Sequence, residues 1–533
     1  MNKFFLVSMV LALTLQGCAR HAEGPDFKAL NKQATKEYLE PVRPGYEGRN
    51  PYWNKYSKKF TYAPAFDFAI VEGAAKYRFD LAHADGQTWS FEADRPCEPL
   101  SKVWNDIPVG KVDLTVLGIA KDGSVVDTAG HRTFMRDFPF EGPYLEAAED
   151  YRTCAIKAVL YTHRMDAVQR WLTQTEPDMS YQLNTYACKM IGSTVSNECL
   201  AAKLIPEIRE DAILIARHAA GFLLSIAQPE GHPLAFFPPT YYKDLITSGK
   251  PHNKGRTMTL DALRVAHAYL DLYDLTGEQE WYDHAMDIAG TYVKIQREDG
   301  SFPVKVWYDT GEPVNGMPAL LAPVIVFASR MASQYGVHDF DQMKAKAEQW
   351  MDKVALSTFN MSGQFEDVNI EKKAKYQNLA NGVAASYACN ILNRDRISDE
   401  DLLNARDLIR FAEDQFVHWG AVKDRFSNLL AWEWTPCVHE QYTCDVGIDS
   451  SARNLIDAWL TYYNVTGDEL SYEKARAMAN SLTNIQIHKT GQIPTFWSLS
   501  RVMDDSGYWI NCAYASACIL LKMADAADAH DQK

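Results

Sequence analysis

"AYLDLYDLTGEQEWYDHAMDIAGTYVKIQREDGSFP", residues 268–303, lines up with "AWLTYYNVTGDELSYEKARAMANSLTNIQIHKTGQIP", residues 458–494. Each copy reads as an apolar-periodic helix ending at Thr-Gly, a second helix, and a polar-Gly turn into an extended segment containing proline. Gly277 and Gly467 stand where a helix can end in the left-handed conformation that a side chain would strain. "STFNMSGQFEDV", 357–368, carries a further copy of the turn. One helical hairpin cannot bury its own apolar face. Recurring hairpins must therefore stack, into an open solenoid or a closed ring.

Outward from these copies, helical period runs from residue 146 to 526. It predicts helices over 147–172, 203–228, 258–276, 279–297, 316–335, 339–357, 375–393, 398–418, 447–465, 470–488 and 507–526. The connections are of two kinds. Thr276-Gly277 and Thr466-Gly467 turn straight into the next helix, whereas 229–257, 298–315, 358–374, 419–446 and 489–506 are long. Long loops on one face only mark that face as the functional one.

This rhythm of hairpins and glycine turns resembles the six-hairpin glycosidase-like (α/α) toroids, a superfamily of carbohydrate-active enzymes. The resemblance covers residues 146–526 and rests on the rhythm, not on a catalytic signature. It implies a mainly α chain with an (α/α)6-type toroid as catalytic domain and an active site among the long loops at one end. A protein-binding solenoid is the competing architecture.

Before the helices, residues 60–145 read as strands. Tyr77, Phe79 and Leu81 alternate with polar neighbours, as do Trp89, Phe91 and Ala93, then Val112, Leu114 and Val116. Asp85-Gly86 and Asp122-Gly123 supply turns. The pattern predicts a small antiparallel β-sandwich that braces its neighbour. Residues 18–59 read as a linker and 527–533 as a tail.

The chain opens with Lys3, an apolar run from Phe4 to Leu15, and Leu15-Gln16-Gly17-Cys18. The run is short for a membrane span and has signal-peptide anatomy. Its end resembles the bacterial lipobox, which implies removal of residues 1–17 and lipidation of Cys18. The expected product is a lipid-anchored protein of the bacterial cell envelope, on its periplasmic or surface face. Of ten cysteines, Cys188/Cys199 and Cys437/Cys444 are close enough in sequence to be bridged. A formal net charge of -15 argues against nucleic acid but does not exclude acidic sugars, and carbohydrate is the partner that the toroid resemblance implies. Repeated CxxC, HExxH, a phosphate-binding Gly-rich loop and GxSxG are all missing from the sequence, so neither a metal nor a cofactor is expected.

The long loops are rich in aromatic and ionisable residues. Sugar rings offer apolar C–H faces to aromatics and hydroxyls to planar polar groups. His252, Arg256, Trp307, Asn381, Trp432, Trp434 and Trp497 are therefore candidate substrate-binding residues, and Tyr241 and Trp509 lie in or beside the same loops. Glycoside hydrolysis needs two carboxyl groups. Glu366, Asp367, Glu433, Glu440, Asp445, Asp449, Asp504 and Asp505 could supply them. Elimination from a uronic acid instead needs a base such as Tyr442 or His439, with Asn381 or Arg256 neutralising the carboxylate. The candidate catalytic set is Asp449, His439, Tyr442 and Glu440. Three functions fit: a glycoside hydrolase, a polysaccharide lyase or epimerase acting on uronic acids, and a non-catalytic glycan-binding lipoprotein.

Overall fold

A computed structural model describes residues 25–45, 49, 52–243, 250–362, 368–420, 434–497 and 507–532. Cys18, Glu366, Asp367, Trp432, Glu433, Asp504, Asp505 and the side chain of Asp445 lie outside the described residues.

Twelve helices among the described residues build the ring. They are α2 (Tyr151–Arg164), α3 (Ala187–Leu204), α4 (Arg209–Ser225), α5 (Ala262–Thr276), α6 (Gln279–Ile295) and α7 (Ala322–Tyr335). The others are α8 (Asp341–Trp350), α9 (Asn381–Leu392), α10 (Asp399–Phe416), α11 (Asp449–Thr466), α12 (Glu469–Ile485) and α13 (Ile510–His530). The odd-numbered helices from α3 to α13 pack side by side as an inner ring, and each lies against an even-numbered outer partner. α13 closes the circle: it packs on α3 within the inner ring and takes α2 as its outer partner. The sixth hairpin is thus made from the two ends of the helical region. The fold is the closed (α/α)6 toroid, and the solenoid is excluded.

Inner-to-outer turns are tight. Gly277 and Gly467 end α5 and α11 at φ 73° in both, and Gly336 ends α7 at φ 68°. All six inner helices therefore begin at the long-loop face. Their N-terminal dipole ends converge there and favour negative charge. That face is the mouth of the ring.

α3 is the helix that periodicity does not predict. Cys188, Met190, Ile191, Val195, Cys199 and Ala202 are buried, but so are Thr194, Ser196, Asn197 and Glu198. A helix buried nearly all round shows no apolar stripe. Cys188 and Cys199 sit eleven positions apart on this one helix and are not bridged; the Cys188 thiol instead donates to the Pro238 and Pro239 carbonyls. Within the expected linker, α1 (Phe27–Glu37) is helical, capped by the Asp26 carboxylate.

The β module is one five-stranded sheet rather than two facing ones. It contains β1 (Lys59–Phe60), β2 (Lys76–His83), β3 (Thr88–Ala93), β4 (Gly110–Ile119) and β5 (Val125–Arg136) in the order β1-β5-β4-β2-β3. All pairs are antiparallel except β1 with β5. Tyr77, Phe79, Leu81, Val112, Leu114 and Val116 fill its buried face as the alternation requires. The ring supplies the support that a second sheet would give, and Trp53 stacks on Phe411 of α10. Three consecutive polar residues at the end of α10 fasten the two parts. Glu413 accepts from Tyr38, Tyr62, Trp419 and Lys474. Asp414 accepts from the Thr61 and Tyr62 amides, and Gln415 donates to the Lys59 carbonyl. Burial pushes the Asp414 carboxyl up to about 6 against the pull of Lys59. Among the described residues no helix is long and apolar enough to cross a membrane.

Candidate active site at the ring mouth

Asp449 opens inner helix α11, where an acid suits the helix dipole. Its Oδ1 accepts from the Ser450 amide at 2.7 Å, while Oδ2 has no hydrogen-bond partner. The residue is 0% exposed. Burial pushes its carboxyl well above the ordinary range, opposed chiefly by the Ser450 amide. Burial thus favours the protonated form of this carboxyl group.

Strand β9 (Cys437–Gln441) brings in the second acid. It pairs with β8 (Val417–His418) and β10 (Cys444–Gly447) across the fourth long connection. Asn381, the first residue of inner helix α9, donates Nδ2 to the His439 and Glu440 carbonyls (3.0 Å to Glu440) and accepts from Asn454 of α11 at 3.2 Å. Asn381 therefore positions the strand instead of facing a ligand. Glu440, Asp449 and Lys189 all act on the Cys512 thiol, which burial chiefly pushes up, so these three ionisable groups lie around Cys512 at the start of α13.

Aromatics edge the same neighbourhood. The Lys189 ammonium lies 4.5 Å from the Trp509 ring centroid. Tyr186 lies 5.3 Å from Trp509 and 5.9 Å from Tyr241. Tyr186 and Lys189 flank the start of α3, so missing that helix hides both from sequence reading. The signal that could reveal them is positional: any first-turn residue of an inner helix reaches the mouth.

Two of the catalytic candidates turn the other way. Side chains alternate along a strand, so His439 and Glu440 leave β9 on opposite faces. The His439 ring lies 4.3 Å from that of His418, whose Nδ1 is 2.5 Å from Oδ2 of buried Asp137 on the β module. The Tyr442 hydroxyl donates to Gln415 and is 2.9 Å from Ser57 Oγ. Burial pushes this phenol further above its already high value, the opposite of what a base requires. Both belong to the joint between ring and β module.

Arg256 and Trp307 face each other across the β6 (Arg256–Met258) and β7 (Lys305–Trp307) pair. The Arg256 guanidinium lies 4.6 Å from the Trp307 ring centroid and pairs with Glu371 at 3.0 Å. It holds the Glu371 carboxyl below its ordinary value. Trp307 is 39% exposed. His252 lies in the short turn Pro251–Asn253, whose Asn253 receives a 2.8 Å bond from buried Lys305. Trp434 is partly buried, and Trp497 is 1% exposed, so Trp497 forms wall and not platform.

Among the described residues, Glu149, Cys154 and His488 come close enough to ligate a metal ion. The Lys157 ammonium stands 2.6 Å from the Glu149 carboxylate and takes the place a cation would need.

No protein-family model matches the chain, and no curated protein does. Among solved structures the chain is similar to a family 76 glycoside hydrolase from a bovine Bacteroides thetaiotaomicron strain, at 9% identity over 88% of this chain and 97% of that one, with a TM-score of 0.45. It is similar to an unsaturated glucuronyl hydrolase specific for heparin, at 11% identity over 71% and 98%, with a TM-score of 0.45. It is also similar to the cellobiose 2-epimerase of Spirochaeta thermophila, at 10% identity over 70% and 98%, with a TM-score of 0.46.

Proposed function

We propose that the chain is a glycan-degrading enzyme that hydrolyses an oligo- or polysaccharide at the ring mouth. The observation that carries this reading is the presence of two acids in unlike surroundings around Cys512. Asp449 is fully buried, which raises its carboxyl, and Glu440 is half-buried on strand β9. Unlike environments are what separate an acid from a base or nucleophile in glycoside hydrolysis. Asp449 would protonate the leaving oxygen and Glu440 would act on the anomeric side. Tyr186, Trp509 and Trp307 would meet sugar faces.

Lyase or epimerase chemistry has less support, because His439 and Tyr442 point into the joint with the β module. The complete burial of Asp449 favours a different second reading, a glycan-binding protein without turnover. Product analysis on a panel of neutral and uronic glycans decides. Reducing ends without unsaturated-uronate absorbance support hydrolysis, that absorbance supports a lyase, and binding without any product supports the second reading.

We also propose anchoring in the bacterial envelope through lipidated Cys18. The test is metabolic lipid labelling of Cys18→Ser. Loss of label supports the anchor, and normal label refutes it.

A further inference from the structure

A cavity of about 240 Å³ lies away from the mouth, between α1, α10, α11 and α12. Trp459 and Tyr462 of α11 help line it. Trp459 is ten positions beyond Asp449 along one helix, roughly 15 Å at the α-helical rise. The cavity is therefore separate from the candidate active site.

Its polar groups are unequally satisfied. Glu413 receives four donors, from Tyr38, Tyr62, Trp419 and Lys474. Asp468 accepts from Ser471 and Gln33. The donors are less well served. Arg410 is 5% exposed, and its Nε–H has no acceptor although Nη2 reaches the Glu37 and Glu40 carbonyls. Lys474 is buried with three protons, and its single hydrogen bond within ordinary length goes to Glu413 at 2.8 Å. A buried donor without an acceptor is costly, so the Arg410 Nε–H is a donor left for a ligand to meet.

We propose that this cavity is a second ligand site, which takes a singly charged carboxylate of monosaccharide size, such as a sugar acid. The carboxylate oxygens accept from Arg410 and Lys474, where charge-assisted bonds are strong. Trp459 and Tyr462 meet the C–H face of the ring. Glu37, Glu413 and Asp468 offset the lining cations Arg406, Arg410 and Lys474, so the site carries no surplus positive charge, and burying a dianion there costs more than burying a monoanion. The bound ligand ties α1 to the ring, because α1 forms one wall.

Calorimetric titration of the full chain with D-glucuronate, D-glucose and inorganic phosphate tests the assignment. Glucuronate is expected to bind, and to bind about tenfold or more weakly once Arg410→Met removes the donor. Ile409→Phe, which fills the cavity and leaves the donors in place, is expected to do the same if Arg410→Met fails to fold. Asp449→Asn at the mouth is expected to leave this binding unchanged, which separates it from any failure of the hydrolase reading. Absence of glucuronate binding overturns the proposal. So does binding that survives both cavity variants or disappears in Asp449→Asn, and so does equally tight binding of glucose or phosphate.

Discussion

Hairpins α5/α6 and α11/α12 are the two copies from which the fold was read, and they agree at every place where the ring is held together. At the short-loop face, Thr276 and Thr466 each bond back into their helix, accept the amide two residues on, and flank a left-handed glycine. At the far end, Gln296 donates to the Gly300 and Met343 carbonyls, and Gln486 donates to those of Gly491 and Cys154. Met343 belongs to α8, the next outer helix in sequence. Cys154 belongs to α2, the first. Propagation and closure of the ring therefore use one device, and closure differs only in reaching back to the start of the chain.

The copies part company at the mouth. Asp261, at the start of α5, accepts from Thr240 at 2.9 Å and lies 3.7 Å from Arg264, whereas Asp449 at the start of α11 is sealed with Oδ2 unpartnered. If that contrast marks function, Asp449→Asn should lower turnover by ~10²–10⁴ fold at near-normal binding, and Asp261→Asn by less than about tenfold. Equal losses would erase the contrast. Stability gives an independent reading. Because burial raises Asp449, the folded chain keeps a proton that the unfolded chain releases. The stability it contributes is present below the ordinary carboxylate range and is lost as pH rises toward the folded value. Asp449→Asn should flatten that decline in a melting-temperature series.

The next expected effect tests the closure. A Cβ on Gly491 would meet the Lys157 carbonyl oxygen at 2.3 Å, and one on Gly300 would meet that of Lys346 at 2.4 Å. Both glycines also hold positive φ, 92° and 88°. Alanine at either should cost about 3 kcal/mol in denaturant unfolding, because backbone must move as well as turn. Hydrogen exchange should then differ in place: α2 loses protection in Gly491→Ala, and α8 in Gly300→Ala. Loss at both places in both variants would mean that the ring opens as one unit.

What could be read from the sequence followed from this device. Thr-Gly and the later glycine turn are local, so the repeat, the hairpin directions and the long-loop face could be read before any contact was known. α3 could not, because burial on all sides erases the periodicity that marks a helix. Nor could the single-sheet β module, whose missing layer is the side of α10. At the site, the acids at 440 and 449 were legible as types. Which way His439 and Tyr442 point depends on β8 and Ser57, which lie far from them in sequence or in other strands. Lys189 was hidden with its helix.

A smaller effect separates the two glutamines. They make the same bonds, but Gln486 is buried and Gln296 is partly exposed, so water can replace only the latter. Gln486→Ala should cost about 2 kcal/mol and Gln296→Ala about 1 kcal/mol, measured from unfolding midpoints at unchanged slope. Equal costs would show that burial does not distinguish the closing contact from the propagating one.

The smallest effect is expected at the short-loop face, and there the copies should be indistinguishable. Gly277 and Gly467 share φ 73°, and a Cβ at either position would meet no atom within 4 Å. Alanine then pays only for the left-handed backbone, roughly 1 kcal/mol. No packing penalty is added, unlike at Gly300 and Gly491. Asparagine, which tolerates that conformation, should recover part of the loss at both sites. The pair of alanine variants thus calibrates the series, since each differs from its partner by sequence position alone. Matching midpoint shifts would locate all the difference between the copies at the mouth and the closing helix. A shift at Gly467 several times that at Gly277 would place part of it at the short-loop face instead, where α1 contacts α12 and reaches the Asp468 side chain through Gln33.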